Sequence, residues 1–231
     1  MSLYFNLLIA TLSIPLMLSF DKKLQFYKQW TYLFPSLFII ATFYIFFDIR
    51  FTRLGIWGFN PLYHSHILIF NLPLEEWLFF FIVPYASIFL HESIVLYFPS
   101  WQLSYPTSRT ITMLLLIFFV LIALNHVEKS YTLYISVLMV VALLISLFDA
   151  SNVIRSFFIT FLIILIPFVA VNGILTGSLI EGEVVWYNNA ENLGIRIFTI
   201  PIEDIGYGFS LILFNLILKA KLRQAINGRK A

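Results

Sequence analysis

The chain contains no cysteine, which excludes disulfides, thiolate catalysis and cysteine-based metal sites together. Charge is nearly as scarce: 14 Lys and Arg with 12 Asp and Glu make up 11% of 231 residues. Hydrophobic residues reach 61% and the mean hydropathy is +0.92, so there is too little polar surface for a soluble globule of this size. No dinucleotide fingerprint is present, because Gly206-Tyr207-Gly208 has Leu211 where the third glycine belongs and follows no strand pattern. The net charge of +2 gives no ground for a nucleic-acid partner.

What is present is a series of long apolar runs. A helix needs about 20 mostly apolar residues to cross a bilayer, and seven runs approach this: about 3–20, 31–47, 67–97, 110–125, 131–148, 155–173 and 195–218. The expected fold is an all-α membrane protein of seven transmembrane helices. The first run has no basic flank and no small-residue cleavage site, so it reads as a retained span. Summing Lys and Arg over alternate connections puts ten on the side of the C-terminal tail and four on the other. The positive-inside rule then places the N-terminus outside and the C-terminus in the cytoplasm of a multi-pass protein of the cell inner membrane.

Two of the runs carry the same motif. Phe70-Asn71-Leu72-Pro73-Leu74-Glu75-Glu76-Trp77 recurs 128 positions later as Phe198-Thr199-Ile200-Pro201-Ile202-Glu203-Asp204-Ile205. Ser19-Phe20-Asp21 matches Leu147-Phe148-Asp149 at the same offset, and Trp57-Gly58-Phe59-Asn60 is loosely echoed by Trp186-Tyr187-Asn188-Asn189, displaced by one. The pattern predicts one transmembrane domain over 1–231 built as a tandem duplication, three spans plus one plus three. Its parts are a first repeat over 1–100, a connector with the fourth span over 101–128, and a second repeat over 129–231. Spans three and seven then run in the same direction, and a parallel repeat places its site where the halves meet.

Glu75, Glu76, Glu203 and Asp204 are the candidate catalytic residues. Ionisable groups within a span are costly and read as functional; capping of a helix N-terminus needs one carboxylate, and each motif has two. Adjacent carboxyls in apolar surroundings keep a proton between them and so offer an acid beside a base. Because apolar residues precede each proline, the motifs are expected below the surface at proline-broken helices lining a cavity. Tyr207 shares the helical face of Glu203 and Asp204, and Gly206 and Gly208 leave room beside it. Trp77 and Tyr207 are aromatic faces suited to stabilising a cation. Arg53 and Arg196 are placed to pair with the acids from the loops. His64 and His66 read as a solvated loop pair, so no metal site is expected.

These paired Pro-x-Glu-Glu/Asp motifs, with flanking Phe70, Asn71, Trp77, Phe198 and Tyr207, resemble those of the small integral-membrane lycopene β-cyclases, over essentially the whole chain. The resemblance implies a fused form of a two-subunit bacterial enzyme, related to the cyclase half of bifunctional fungal proteins. It implies an intramolecular lyase or isomerase of carotenoid biosynthesis that closes the ψ-ends of lycopene to β-rings without a cofactor, in the bilayer, with other carotenoid enzymes as possible partners. Glu75 and Glu203 are expected to handle the proton and Glu76 and Asp204 to tune it; Phe70, Asn71, Trp77, Phe198 and Tyr207 are expected to contact substrate. The alternative is a non-enzymatic seven-helix carrier of a lipophilic ligand. A prenyltransferase would need aspartate-rich Mg²⁺ motifs, and a retinal protein a lysine inside the last span, where only Lys219 and Lys221 stand, at its end.

Overall fold

The computed structural model describes residues 2–228. They form seven α-helices: α1 (Leu3–Leu18), α2 (Trp30–Arg53), α3 (Leu74–Tyr97), α4 (Tyr105–Asn125), α5 (Ser130–Leu147), α6 (Ile154–Leu175) and α7 (Glu203–Gly228). α2 to α7 are each long and apolar enough to cross a membrane. α1 has 16 residues and, at about 1.5 Å per residue, falls short of a hydrocarbon core ~30 Å thick. Phe38, Phe46, Leu114, Leu162 and Ile166 project outward from the helices. Such exposed apolar surface belongs in lipid, and the protein is a multi-pass membrane protein.

α3 and α7 stand in the middle of the bundle. α3 packs on α1, α2 and α6, and α7 packs on α2, α3, α5 and α6. α4 is peripheral, lies along α5, and buries only Ser108 and Thr112. The core is rich in rings: Phe26, Tyr44, Phe80, Tyr131 and Phe157 are fully buried. Large rings with polar tips suit a membrane core, because each hydroxyl can find a partner while the body packs.

The bundle is not wholly helical, since six strands of two or three residues cap the end that holds the α1, α3, α5 and α7 N-termini. They are β1 (Trp57–Phe59), β2 (Leu68–Ile69), β3 (Leu72–Pro73), β4 (Val185–Tyr187), β5 (Arg196–Ile197) and β6 (Ile200–Pro201). β1 pairs antiparallel with β4, aligning Gly58 with Trp186, while β2–β3 and β5–β6 are hairpins. β4, β5 and β6 begin 128 positions after β1, β2 and β3. The one-residue displacement expected for the Trp57 stretch is therefore corrected: at the strands the offset is uniform, with Asn60 answering to Asn188.

The proline-broken helices expected at the acidic motifs are also corrected. Ile67 to Phe70 lie outside α3, in the hairpin that precedes it. Phe70 and Asn71 have φ of 52° and 69°, the left-handed geometry that a tight two-residue hairpin demands. Leu74 N then bonds to Ile67 O at 2.8 Å, as Ile202 N does to Ile195 O at 3.0 Å. Pro73 is the N-cap of α3, where a missing N–H costs nothing. The apolar run reads as helix in the sequence because period alone does not separate a short buried strand from a helical turn.

Candidate active site

Both acidic pairs fall in the first turn of their helices. Neighbours on a helix are about 100° apart, so the two acids of each pair part company. Glu75 Oε1 accepts from Ser65 N at 2.7 Å and Ser2 Oγ at 2.6 Å, and Oε2 from Ser65 Oγ at 3.1 Å. Glu203 Oε1 accepts from Leu193 N at 2.7 Å and Thr132 Oγ1 at 2.7 Å. Ser65 and Leu193 are themselves 128 positions apart. These first acids bind incoming loops and the N-termini of α1 and α5 to the starts of α3 and α7.

The second acids turn into the bundle. Glu76 Oε2 accepts from the Tyr4 hydroxyl at 2.5 Å. Asp204 accepts from the Tyr131 hydroxyl on Oδ1, and on Oδ2 from Asn172 Nδ2 at 3.0 Å and the Tyr187 hydroxyl at 3.0 Å. Both line one cavity of about 60 Å³, together with Asp48, Trp57, Phe59, Phe79, Phe168 and Tyr207. Among the described residues, no Lys, Arg or His lines it. Three carboxyls thus share one small chamber walled mostly by rings and aliphatic groups.

Phe79, Val83, Phe168 and Asn172 also border a second space, a groove of about 420 Å³ between α1, α3 and α6 lined by Leu7, Ala10, Ile14, Ala86, Leu90, Ile164 and Val171. This groove is apolar except for Thr11, Ser87 and Asn172. At positions 128 further on from its α1 wall, Ile135, Leu138, Met139, Ala142 and Leu143 are all buried. There α5 closes onto α7, where a Cβ on Gly206 would lie 2.7 Å from Ile135 Cγ2.

Of the residues expected to contact substrate, Tyr207 reaches the cavity, its ring 5.1 Å from that of Tyr44. Phe70, Asn71 and Phe198 stay on the hairpins, Phe70 and Phe198 exposed, and Trp77, in the first turns of α3, donates back to Ile69 O at 3.2 Å. Arg196 does not pair with the acids. Its guanidinium donates to Thr199 O at 2.5 Å and Asn189 Oδ1 at 2.8 Å, and no ion pair joins Arg53 to an acid among the described residues. His64 is buried and not solvated, its Nδ1 accepting from His66 N at 3.0 Å; burial holds its imidazole below the usual range.

Sequence patterning does not single out Tyr4, Asp48, Tyr131 or Asn172, and marks Trp57 and Tyr187 as parts of a repeat without pointing to the site. Asp48 carries a signal, a lone acid following the apolar run of α2, but it reads equally well as the end of a span. Tyr4 and Tyr131 carry none, since a hydroxyl aimed across 73 positions from Tyr131 to Asp204 leaves no local pattern.

A family model described as Lycopene cyclase matches residues 1–94 and 128–222, most of the chain. Comparison with curated proteins and with solved structures gave no match. The two matched segments contain the two acidic motifs and all the carboxyls of the cavity, and the chain belongs to the lycopene cyclase family.

Proposed function

We propose that this protein is a lycopene β-cyclase, an isomerase that closes the ψ-ends of lycopene to β-rings, giving γ-carotene and then β-carotene. The observation that carries this reading is the meeting of Glu76 and Asp204, one from each motif, in a single cavity without a neutralising cation. A carboxylic acid in the chamber protonates the terminal double bond, the next double bond attacks the resulting cation to close a six-membered ring, and a carboxylate removes a ring proton. One proton enters and one leaves, so the reaction is neither redox nor hydrolytic. General acid and base groups of this kind contribute about 10²–10⁴-fold each.

We place Glu76 and Asp204 at the reacting centre, and assign anchoring of the loops to Glu75 and Glu203. This reverses the division expected from the sequence. Asp204 receives three donors, which suits a group that stays ionised and accepts the ring proton. The rings of Trp57, Tyr131, Tyr187 and Tyr207 around the chamber stabilise the cation without attacking it.

The groove between α1, α3 and α6 takes the body of the polyene. The chamber itself holds about two waters, so admitting a ψ-end requires its shared wall, Phe79 and Phe168, to part. The uniform offset of 128, the self-facing pair Gly58 and Trp186, and the two family segments support a tandem duplication about a local two-fold axis. With α1 counted as the first span, the acid chamber lies toward the outer face and the basic C-terminal tail toward the cytoplasm of the inner membrane.

Expression in a lycopene-accumulating bacterium tests the reading. Conversion of red lycopene to orange β-carotene is the expected result; unchanged lycopene bound to the purified protein would identify a carrier instead.

A further inference from the structure

A third carboxyl shares the chamber, and neither motif accounts for it. Asp48, on α2, is 2% exposed. Its Oδ1 accepts from Trp57 Nε1 at 2.6 Å, and its Oδ2 is buried without any hydrogen-bond partner. The hydroxyl of Thr52, one turn along the same helix, stands beside the Asp48 carboxyl and likewise makes no hydrogen bond of good geometry. The position 128 further on is Thr176, whose hydroxyl is satisfied by Asn172 O at 2.8 Å and Thr199. Asp48 therefore belongs to one half of the molecule only and makes the chamber asymmetric.

The three carboxyls differ in how well they are dressed for charge. A carboxylate is acceptor-only and, when buried, needs donors on both oxygens. Asp204 has three donors over two oxygens, Glu76 one, and Asp48 one with an oxygen left bare. A protonated oxygen needs no donor. The bare Oδ2 therefore fits a carboxylic acid; Glu203 Oε2 is buried and unpartnered too, but Asp48 is the one of the two that lines the chamber, where its proton is offered to whatever enters.

We propose that Asp48 is the catalytic acid of this site, delivering the proton from its Oδ2 to the terminal double bond; this rests on the cyclase reading above. The O–H bond of Asp48 breaks and a C–H bond forms at the inner carbon of the terminal double bond, leaving the cation on the outer, dimethyl-bearing carbon. The tertiary cation is then attacked by the next double bond, closing the ring. Asp204 takes the ring proton as the new double bond forms, and that proton returns to Asp48 across the chamber before the next turnover. Trp57 keeps the carboxyl oriented through Oδ1, so the acidic oxygen faces the substrate.

The test compares Asp48→Asn with Glu76→Gln and Asp204→Asn in the full chain, in membranes supplied with lycopene. The amide introduced by Asp48→Asn keeps an oxygen for the Trp57 N–H but has no acidic proton to give. The expected result is a fall in turnover of at least ~100-fold, with lycopene binding retained and no rearranged carotenoid, because the cation never forms. Turnover within about threefold of the parent, with Glu76→Gln and Asp204→Asn inactive, overturns the assignment and leaves the cyclase reading standing. Isomers with a misplaced ring double bond in Asp48→Asn also overturn it, since they mark a lost base. Full turnover in all three variants overturns the assignment and the siting of the chemistry in this chamber, whereas a parent chain that leaves lycopene unchanged overturns the cyclase reading itself. A measurement independent of the folding of Asp48→Asn is the infrared spectrum of protein labelled with ¹³C at aspartate carboxyls. A protonated-carboxyl band that shifts with the label and persists in Asp204→Asn is expected; its absence overturns the proposal.

Discussion

Gly58 and Trp186 face each other across the β1–β4 pair, and each occupies in its own half the position the other occupies. The contact is close: a Cβ on Gly58 would lie 2.6 Å from Trp186 Cε2. The indole is a rigid plate, so the clash cannot be relieved by a swinging chain end. Gly58→Ala is expected to destabilise the protein by about 1–3 kcal/mol through overpacking, read as a lowered melting temperature in detergent. Adding Trp186→Ala is expected to recover part of that loss, which a double-mutant cycle measures. Simple additivity would show that the pair is not in contact.

At the opposite end, Lys219 of α7 is 4% exposed and ion-paired with Glu92, which also accepts from Gln29 Nε2 at 3.3 Å. Removing Lys219 leaves Glu92, its side chain 23% exposed, without a counter-charge, at a cost below the ~3–5 kcal/mol of a fully buried pair, whereas replacing both can be nearly neutral. Lys219→Met is therefore expected to lower thermal stability far more than Lys219→Met with Glu92→Leu. The pair lies away from the acid chamber, so the double variant is expected to keep ring-closing activity. A double variant less stable than the single would count against the pairing.

The proposed function separates the four motif acids by role. Glu76→Gln and Asp204→Asn are expected to cut β-ring formation by at least ~100-fold with little change in melting temperature. Glu75→Gln and Glu203→Gln weaken charge-assisted bonds to Ser65 N and Leu193 N. They are expected to cost about 1–3 kcal/mol of stability each while the folded fraction still turns over. Pigment analysis beside thermal unfolding of the four variants checks both halves of this statement, and loss of activity in a fully stable Glu75→Gln protein would sink it.

The acids are legible in the sequence because Glu75, Glu76, Glu203 and Asp204 repeat at one offset within apolar runs, where charge is expensive. The helices are legible too, to within a few residues at most ends. The direction each acid takes is not. It depends on where the helix starts, and that is set by the positive-φ turns at Phe70, Asn71 and Phe198, of which the two phenylalanines have no special propensity for them. Asp48 and Tyr131 are obscured for another reason: their partners, Trp57 and Asp204, come from other elements. The same holds for Phe70, whose aromatic character suggests the cavity but whose hairpin carries it outside, and for Trp77, which turns from α3 toward that hairpin.

The two halves differ most in the groove. Ala10 and Ile14 of α1 and Ala86 of α3 leave it open, while Met139 and Ala142 of α5 are buried in the corresponding place. On the proposed cyclase reading, a groove leading to a single acid chamber takes one polyene end at a time, so the half-cyclised product withdraws and reverses to present the other. γ-Carotene is therefore expected to accumulate free in the membrane early in a time course and to be chased into β-carotene. Filling the groove with Ala86→Phe is expected to raise the apparent KM for lycopene and to slow the second cyclisation with the first. Leu121→Phe on the exposed face of α4 is expected to change neither. Pigment chromatography over time in the three proteins decides the matter: β-carotene without a γ-carotene phase, or an Ala86→Phe protein as fast as the parent, would mean the substrate enters by another route.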